Sequence, residues 1–192
     1  RRQAVALGGS KQRVEPLEGR GVDRHREHLM DLSEARQMFE PRLALLAAER
    51  ASPQDLDEMR RALRQVGLQP GMRLLEVGCG WGALAECAAR EFDARVTGVT
   101  LSTEQLDYAR ARLASRAPDA PADLRLLDYR DIADAPFDAI VSIEMFEAVG
   151  HAYWPSYFKL LHDKLAPGGR ACVQSITIRD ELFERYLVGT DF

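Results

Sequence analysis

Leu74-Leu75-Glu76-Val77-Gly78-Cys79-Gly80-Trp81-Gly82 is the stretch on which the reading of this chain turns. An apolar run with an acid near its end breaks into three glycines at alternate positions, and helix-forming residues follow from Ala83. That order predicts a buried strand, a tight strand-to-helix turn and a helix over Ala83 to Phe92. Glycine suits the turn because a side chain would hold a ligand away from the backbone, and because turn residues can require positive φ. The spacing G-x-G-x-G is tighter than the G-x-G-x-x-G pattern that seats a dinucleotide pyrophosphate on a helix N-terminus. Glu76 stands two residues before the first glycine and suits a cationic ligand. Taken alone, the same residues equally describe a plain tight turn.

Composition bounds the answer. The 192-residue chain is 46% apolar and 29% charged, proportions of an ordinary globular protein with an ample core. Its net charge of −4 divides unevenly: residues 1–70 carry 13 basic and 11 acidic side chains, and residues 71–192 carry 13 and 19. Neither part has the basic excess that nucleic-acid binding demands, so no nucleic-acid partner is expected. No apolar run reaches membrane-spanning length and no apolar core follows Arg1-Arg2, so neither a span nor a signal peptide is read. Three cysteines without paired spacing predict no disulfide framework, no metal site and a reducing, cytoplasmic setting. Cys79, Cys87 and Cys172 read as small packing residues.

Residues 1–28 are polar and arginine-rich and read as a poorly ordered arm, in which His25 and His28 lack a third ligand. Residues 29–66 read as a helical amino-terminal segment and 67–192 as the ligand-binding domain. Apolar residues recur at helical spacing from Asp31 to Arg50, and Pro41 within them predicts a kink or restart. Ser52 as N-cap and Pro53 at the first helical position open a second helix that runs to about Val66 and ends at Gly67. Beyond Gly71, strands are expected near 73–77, 95–99, 124–127, 138–143 and 170–176, with helices near 82–91, 103–116, 154–165 and 180–187. Pro167-Gly168-Gly169 reads as a turn feeding the fifth strand. Such alternation implies an α/β fold with right-handed crossovers and a parallel sheet covered on both faces. Ligands on such sheets bind outside the carboxyl ends of the strands.

Chemistry-bearing residues fall at those ends. The second strand closes in Thr100-Leu101-Ser102, with Gln105 beyond, where a nucleotide-binding domain commonly has an acid for the ribose. Thr100 and Gln105 are neutral but still hydrogen-bond a ribose; alternatively, Ser102 is an N-cap whose capping box Gln105 completes. The third strand ends in Asp128-Tyr129-Arg130-Asp131, a carboxylate to accept from an adenine amino group beside an aromatic to cover the ring, or else a solvated turn. The fourth runs into Ser142-Ile143-Glu144-Met145-Phe146-Glu147, and two carboxylates three residues apart at a strand's mouth are costly unless paired or used. They could bind a cation, stabilise developing positive charge or position a base, and Glu147 is the catalytic choice. His151 begins a helix and reads as a capping or packing residue.

At these residues the chain resembles cyclopropane-fatty-acyl-phospholipid synthases, the lipid-modifying branch of the S-adenosylmethionine-dependent class I methyltransferases. The matching segments are LLEVGCGWG at 74–82, GVTLSTEQ at 98–105, DYRD at 128–131, SIEMFEAVG at 142–150 and QSITIRDELFERY at 174–186. The resemblance implies a Rossmann-like class I methyltransferase sheet preceded by two or three helices. It also implies that the sheet is incomplete at the C-terminus, because the family continues past Phe192 into final strands and an acyl-binding region with a catalytic tyrosine. The cofactor implied is S-adenosylmethionine, whose ammonium and sulfonium match the cation suited to Glu76.

By the same resemblance, a cis double bond of an acyl chain attacks the sulfonium methyl, a carbocation forms, and loss of a proton closes the ring. Gly78, Gly80 and Gly82 would lie along the methionine end, Thr100 and Gln105 at the ribose, and Asp128 with Tyr129 at the adenine. Glu76, Cys79, Trp81, Leu101, Ser102, Arg130, Ser142 and Ile143 complete the expected cofactor-binding set. Glu147 matches a glutamate that helps hold a bicarbonate ion, the proton acceptor. Gln174 stands where relatives have a histidine, able to hydrogen-bond the ion but not to titrate, and Ile176 is retained two places on. The partners implied are unsaturated phospholipid acyl chains met in peripheral contact with the inner membrane face, and a second copy of the chain in a homodimer.

The segment before the glycine turn lacks the family's Tyr-Ser-Cys stretch. Instead, DLSEARQMFEPRLALLAAERASPQDLDEMRRAL at 31–63 is similar to the opening helices of the ligand-binding domain in GntR-class regulators. Two alternative functions therefore stand beside acyl-chain modification. One is a methyltransferase acting on a small amine, phenol or sterol-like molecule; the other is a non-enzymatic helical regulator-type module.

Overall fold

A computed structural model describes residues 52–134 and 136–183 of the chain. The expected polar arm and the expected helix over 31–50 lie outside the described residues, as does the end of the last expected helix, of which 180–183 are helical.

Helix α1 (Pro53–Gln65) starts as its sequence dictates: the Ser52 hydroxyl accepts from the Asp55 N–H, and the Asp55 carboxylate accepts from the Ser52 N–H. This reciprocal capping satisfies two of the donors left open at a helix start. Strand β1 (Arg73–Val77) follows, then α2 (Ala83–Phe92), β2 (Arg95–Thr100), α3 (Thr103–Arg116), β3 (Ala122–Leu126), β4 (Phe137–Ile143), α4 (Trp154–Lys164) and β5 (Leu165–Gln174). Short 3-10 turns at Tyr129–Asp131, Phe146–Val149 and His151–Tyr153 occupy the loops after β3 and β4.

The strands form one sheet in the order β3-β2-β1-β4-β5, and every neighbouring pair is parallel. Alternation along β1 divides the core. Leu74 points with Val96, Ala139 and Val141 into a layer filled by Leu63, Val66, Ala85, Ala88, Leu106 and Ala109 of α1, α2 and α3. Leu75 and Val77 point the other way, with Val99 and Ile140, onto Tyr157 and Leu161 of α4. Helix α1 thus shares the core of the sheet.

Two differences from the sequence expectation have local causes. The fifth strand was expected over 170–176, with a turn before it. The observed β5 begins at Leu165, paired with Phe137, and resumes at Arg170, paired with Ala139, so Pro167-Gly168-Gly169 bulges inside the strand. It ends at Gln174 because its partner runs out: after the Ile143–Gln174 pair, Glu144 takes φ +49 and turns the chain away. The capping box expected at Ser102 is half made. Its hydroxyl accepts from the Gln105 N–H, but its own N–H goes to Thr100 Oγ1 and the Gln105 side chain turns to Thr100.

Candidate active site

At the carboxyl ends of β1, β2 and β4 the chain encloses a cleft of about 580 Å³. The glycine turn forms its floor, with φ of +84 at Gly78, +47 at Gly80 and +75 at Gly82. The three glycines do different work. A Cβ on Gly78 would lie 2.8 Å from Met145 Cγ, and one on Gly82 would lie 2.8 Å from Ala109 Cβ, so both allow close packing against the loop after β4 and against α3. A Cβ on Gly80 would meet nothing within 4 Å. Gly80 therefore presents bare backbone to the cleft.

Glu76 stands behind this turn, 4% exposed. Its carboxylate accepts from the Ala85 N–H, while Oε2 has no hydrogen-bond partner. Burial pushes its pKa up to about 8. A buried carboxylate oxygen left open is costly, and a cation in the neighbouring cleft is what would relieve it.

The walls are polar at two places. The Thr100 hydroxyl donates to Gln105 Oε1 at 2.9 Å, which leaves the Gln105 amide hydrogens facing the cleft as donors. Asp128 accepts from Arg130 Nε at 2.9 Å and Nη2 at 2.6 Å, and these hydrogen bonds hold its carboxyl below the usual range. The Arg130 guanidinium lies 5.9 Å from the centroids of both Tyr129 and Tyr153.

Of the residues expected to bind a cofactor, Gly78, Gly80, Thr100, Leu101, Gln105, Asp128, Tyr129, Arg130 and Ile143 line this one cleft. The structure places six others off its surface. Glu76 and Cys79 are buried behind the turn, and burial pushes the Cys79 thiol up to about 12. Trp81 packs edge-on against Tyr108 of α3 at 5.4 Å, and Gly82 is closed by Ala109. Ser102 caps α3, and the Ser142 hydroxyl donates to the Val77 carbonyl at 2.9 Å, tying β4 to β1. Leu127, Met145, Val149 and Tyr153 line the cleft without having been expected there. Their side chains are ordinary core formers, and only their place beyond strand ends signals a site.

A second, largely apolar cavity of about 520 Å³ adjoins the cleft, and Glu144 and Ala148 line both. Phe146, Trp154, Ile176, Ile178 and Phe183 provide its apolar wall, with Glu147, Ser175 and Thr177 as polar members. The Ile176 N–H donates to Glu147 Oε1, so the structure brings two of the expected catalytic residues together. Gln174 lines neither cavity; its carbonyl accepts from the Glu144 N–H at 2.9 Å. His151 packs on Trp154, 4.8 Å between centroids, as a packing residue would.

Comparison with known proteins agrees with this geometry. A family model described as mycolic acid cyclopropane synthetase matches residues 46–187, a span that includes α1. A probable fatty acid methyltransferase of Pseudomonas putida is 44% identical over 124 residues, covering 64% of this chain and 32% of that protein. The cyclopropane-fatty-acyl-phospholipid synthase of Escherichia coli K12 is 40% identical over 112 residues, 58% of this chain and 28% of that one. Among solved structures, mycolic acid cyclopropane synthase CmaA1 complexed with SAH and CTAB superposes with a TM-score of 0.63 at 36% identity, over 70% of this chain and 47% of that one. The chain thus spans under a third of the length of these two curated relatives. The fold is the Rossmann-like sheet of class I methyltransferases.

Proposed function

Because this chain belongs to the mycolic acid cyclopropane synthetase family, we propose that it binds S-adenosylmethionine in the cleft and directs its methyl group to an unsaturated acyl chain in the adjoining apolar cavity. The observation that carries this reading is the bare backbone at Gly80, open to a cleft beside a buried carboxylate with a free oxygen. The residues present fit that cofactor. The glycine turn, with the open Oε2 of Glu76 behind it, suits the amino-acid end, the Gln105 amide offers donors to a ribose, and Asp128 with Tyr129 suits an adenine.

When bound, S-adenosylmethionine supplies an electrophilic methyl on a sulfonium. The chain's own residues supply position, dryness and charge. An alkene is a weak nucleophile, so holding it against the donor in a cavity walled by Phe146, Trp154 and Phe183 supplies much of the acceleration. Glu147, fixed by the Ile176 N–H, places a carboxylate on that cavity where it balances positive charge on the acceptor and takes up the proton lost from it. Ser175 and Thr177 join Glu147 on the polar side of that cavity, the Ser175 hydroxyl donating to the Ile176 carbonyl at 3.4 Å, while Gln174 lies off both cavities.

The phospholipid form of the acceptor, met at a membrane surface, is the finer part of the proposal. Among the described residues no helix is long and apolar enough to cross a membrane. The apolar lining of the second cavity favours an acyl acceptor over a small polar amine. Calorimetric titration with S-adenosylmethionine tests the reading: saturable one-to-one binding is expected, and a folded sample that evolves no binding heat would overturn it.

A further inference from the structure

We infer that Glu144 is the residue that makes the cleft select the charged methyl donor over its neutral product, an inference that rests on the cofactor reading above. Three observations carry it. First, Glu144 is an exposed residue at the junction, lining both the cleft and the apolar cavity, so it borders the route of any group passing between them. Second, the charges lining the cleft are Asp128, Arg130 and Glu144, and the first two cancel in a two-point ion pair with a 2.6 Å contact. Among the described residues no ion pair engages Glu144. The cleft wall is therefore left with one uncompensated negative charge at the end nearest the acceptor.

Third, the backbone holds Glu144 there under strain. Its φ of +49 lies in the left-handed region that residues with a Cβ avoid. The Gln174 carbonyl fixes its N–H at 2.9 Å on one side, and Met145 is pressed against Gly78 on the other. A glycine would hold this conformation without strain; what glutamate adds is charge.

The chemistry of methyl transfer makes that charge discriminating. The S–CH3 bond breaks, sulfur keeps the bonding pair and becomes a neutral thioether, and the π pair of the acceptor bonds the methyl at one carbon, so the positive charge passes to the neighbouring carbon of the double bond. A carboxylate beside the sulfonium attracts the substrate and loses that attraction once the product has formed, which favours exchange of product for fresh donor.

The test compares binding of S-adenosylmethionine with S-adenosylhomocysteine, which share every group except the methyl and its charge. Calorimetry on the whole 192-residue chain should show the charged ligand preferred. Glu144→Gln should narrow that preference on the order of threefold to tenfold while leaving S-adenosylhomocysteine affinity unchanged. Added salt should narrow the wild-type preference and leave the variant's alone. If Glu144→Gln proves unfolded by thermal denaturation, Glu144→Gly, at ease with φ +49, is measured the same way and should behave alike. An unchanged ratio in a variant that still binds both ligands would overturn the role of Glu144 and leave the cofactor reading standing. Failure of the folded wild type to bind either ligand would overturn both.

Discussion

Glu76 is where the sequence most directly announces chemistry, and the structure gives the reason in energy. A carboxyl whose pKa rises from 4.5 to about 8 on burial keeps a proton in the native state that the unfolded chain has released. Folding therefore binds a proton between those two values. The stability this group contributes is fully present below about pH 4.5 and is lost as pH rises toward 8, with a slope of at most about 1.4 kcal/mol per pH unit. Urea unfolding between pH 5 and 8 should show stability falling with pH, and Glu76→Gln should flatten that part of the profile; equal slopes in the two proteins would remove Glu76 as the cause. At Gly80, valine would meet no protein atom within 4 Å at its Cβ but would strain φ +47 and project into the cleft. Gly80→Val should stay folded, lose about 1–2 kcal/mol of stability to the backbone and bind S-adenosylhomocysteine at least tenfold more weakly. Retained affinity would mean that the turn serves only the fold. These two residues were legible because their types are odd for their places: an acid in an apolar strand, and glycines at its end. The positive φ of Glu144 was not legible, because nothing in its type foretells it.

Helix α2 meets α3 across a buried ion pair that local sequence could not reveal. Arg112 donates from Nε to Glu86 Oε2 at 2.5 Å, and both side chains are 6% exposed. Burial pushes the Glu86 carboxyl up, but hydrogen bonds from Arg112 and Arg90 outweigh it and hold the group below the usual range. The pair joins residues 26 apart in the chain, which no helical periodicity links. Removing one partner of a buried pair strands the other, so Arg112→Ala should cost about 3 kcal/mol, read as a lowered urea midpoint. A loss under about 1 kcal/mol, typical of exposed pairs, would show that Arg90 and Arg116 together satisfy Glu86. Elements written in local chemistry were read closely: Ser52 and Pro53 mark the start of α1, and 103–116 is both the expected and the observed extent of α3. Elements set by a neighbour were read less well. The extent of β5 depends on where β4 offers hydrogen bonds, and its entry through the Pro167–Gly169 bulge depends on register with Phe137 and Ala139.

For the molecule as a whole, alternating strands and helices foretold a parallel sheet with both faces covered. The spatial order β3-β2-β1-β4-β5 was beyond that reading, since a right-handed crossover can carry the next strand to either side of the one before. That order decides where the site lies. The chain runs outward from β1 to β3 and then returns to set β4 on the other side of β1, so the loops after β1 and β4 diverge over a common crevice. Gly78 and Gly80 end one side of it and Ile143 and Glu144 the other, and the cleft is the gap between them. A crystal structure of this chain grown with S-adenosylhomocysteine would reveal whether the crevice takes the nucleoside. It should show the nucleoside between Gln105 and Asp128, with the amino-acid end over Gly78 and Gly80 and the sulfur toward Glu144. Well-ordered crystals with that crevice empty at saturating ligand, or with the ligand seated elsewhere, would contradict it.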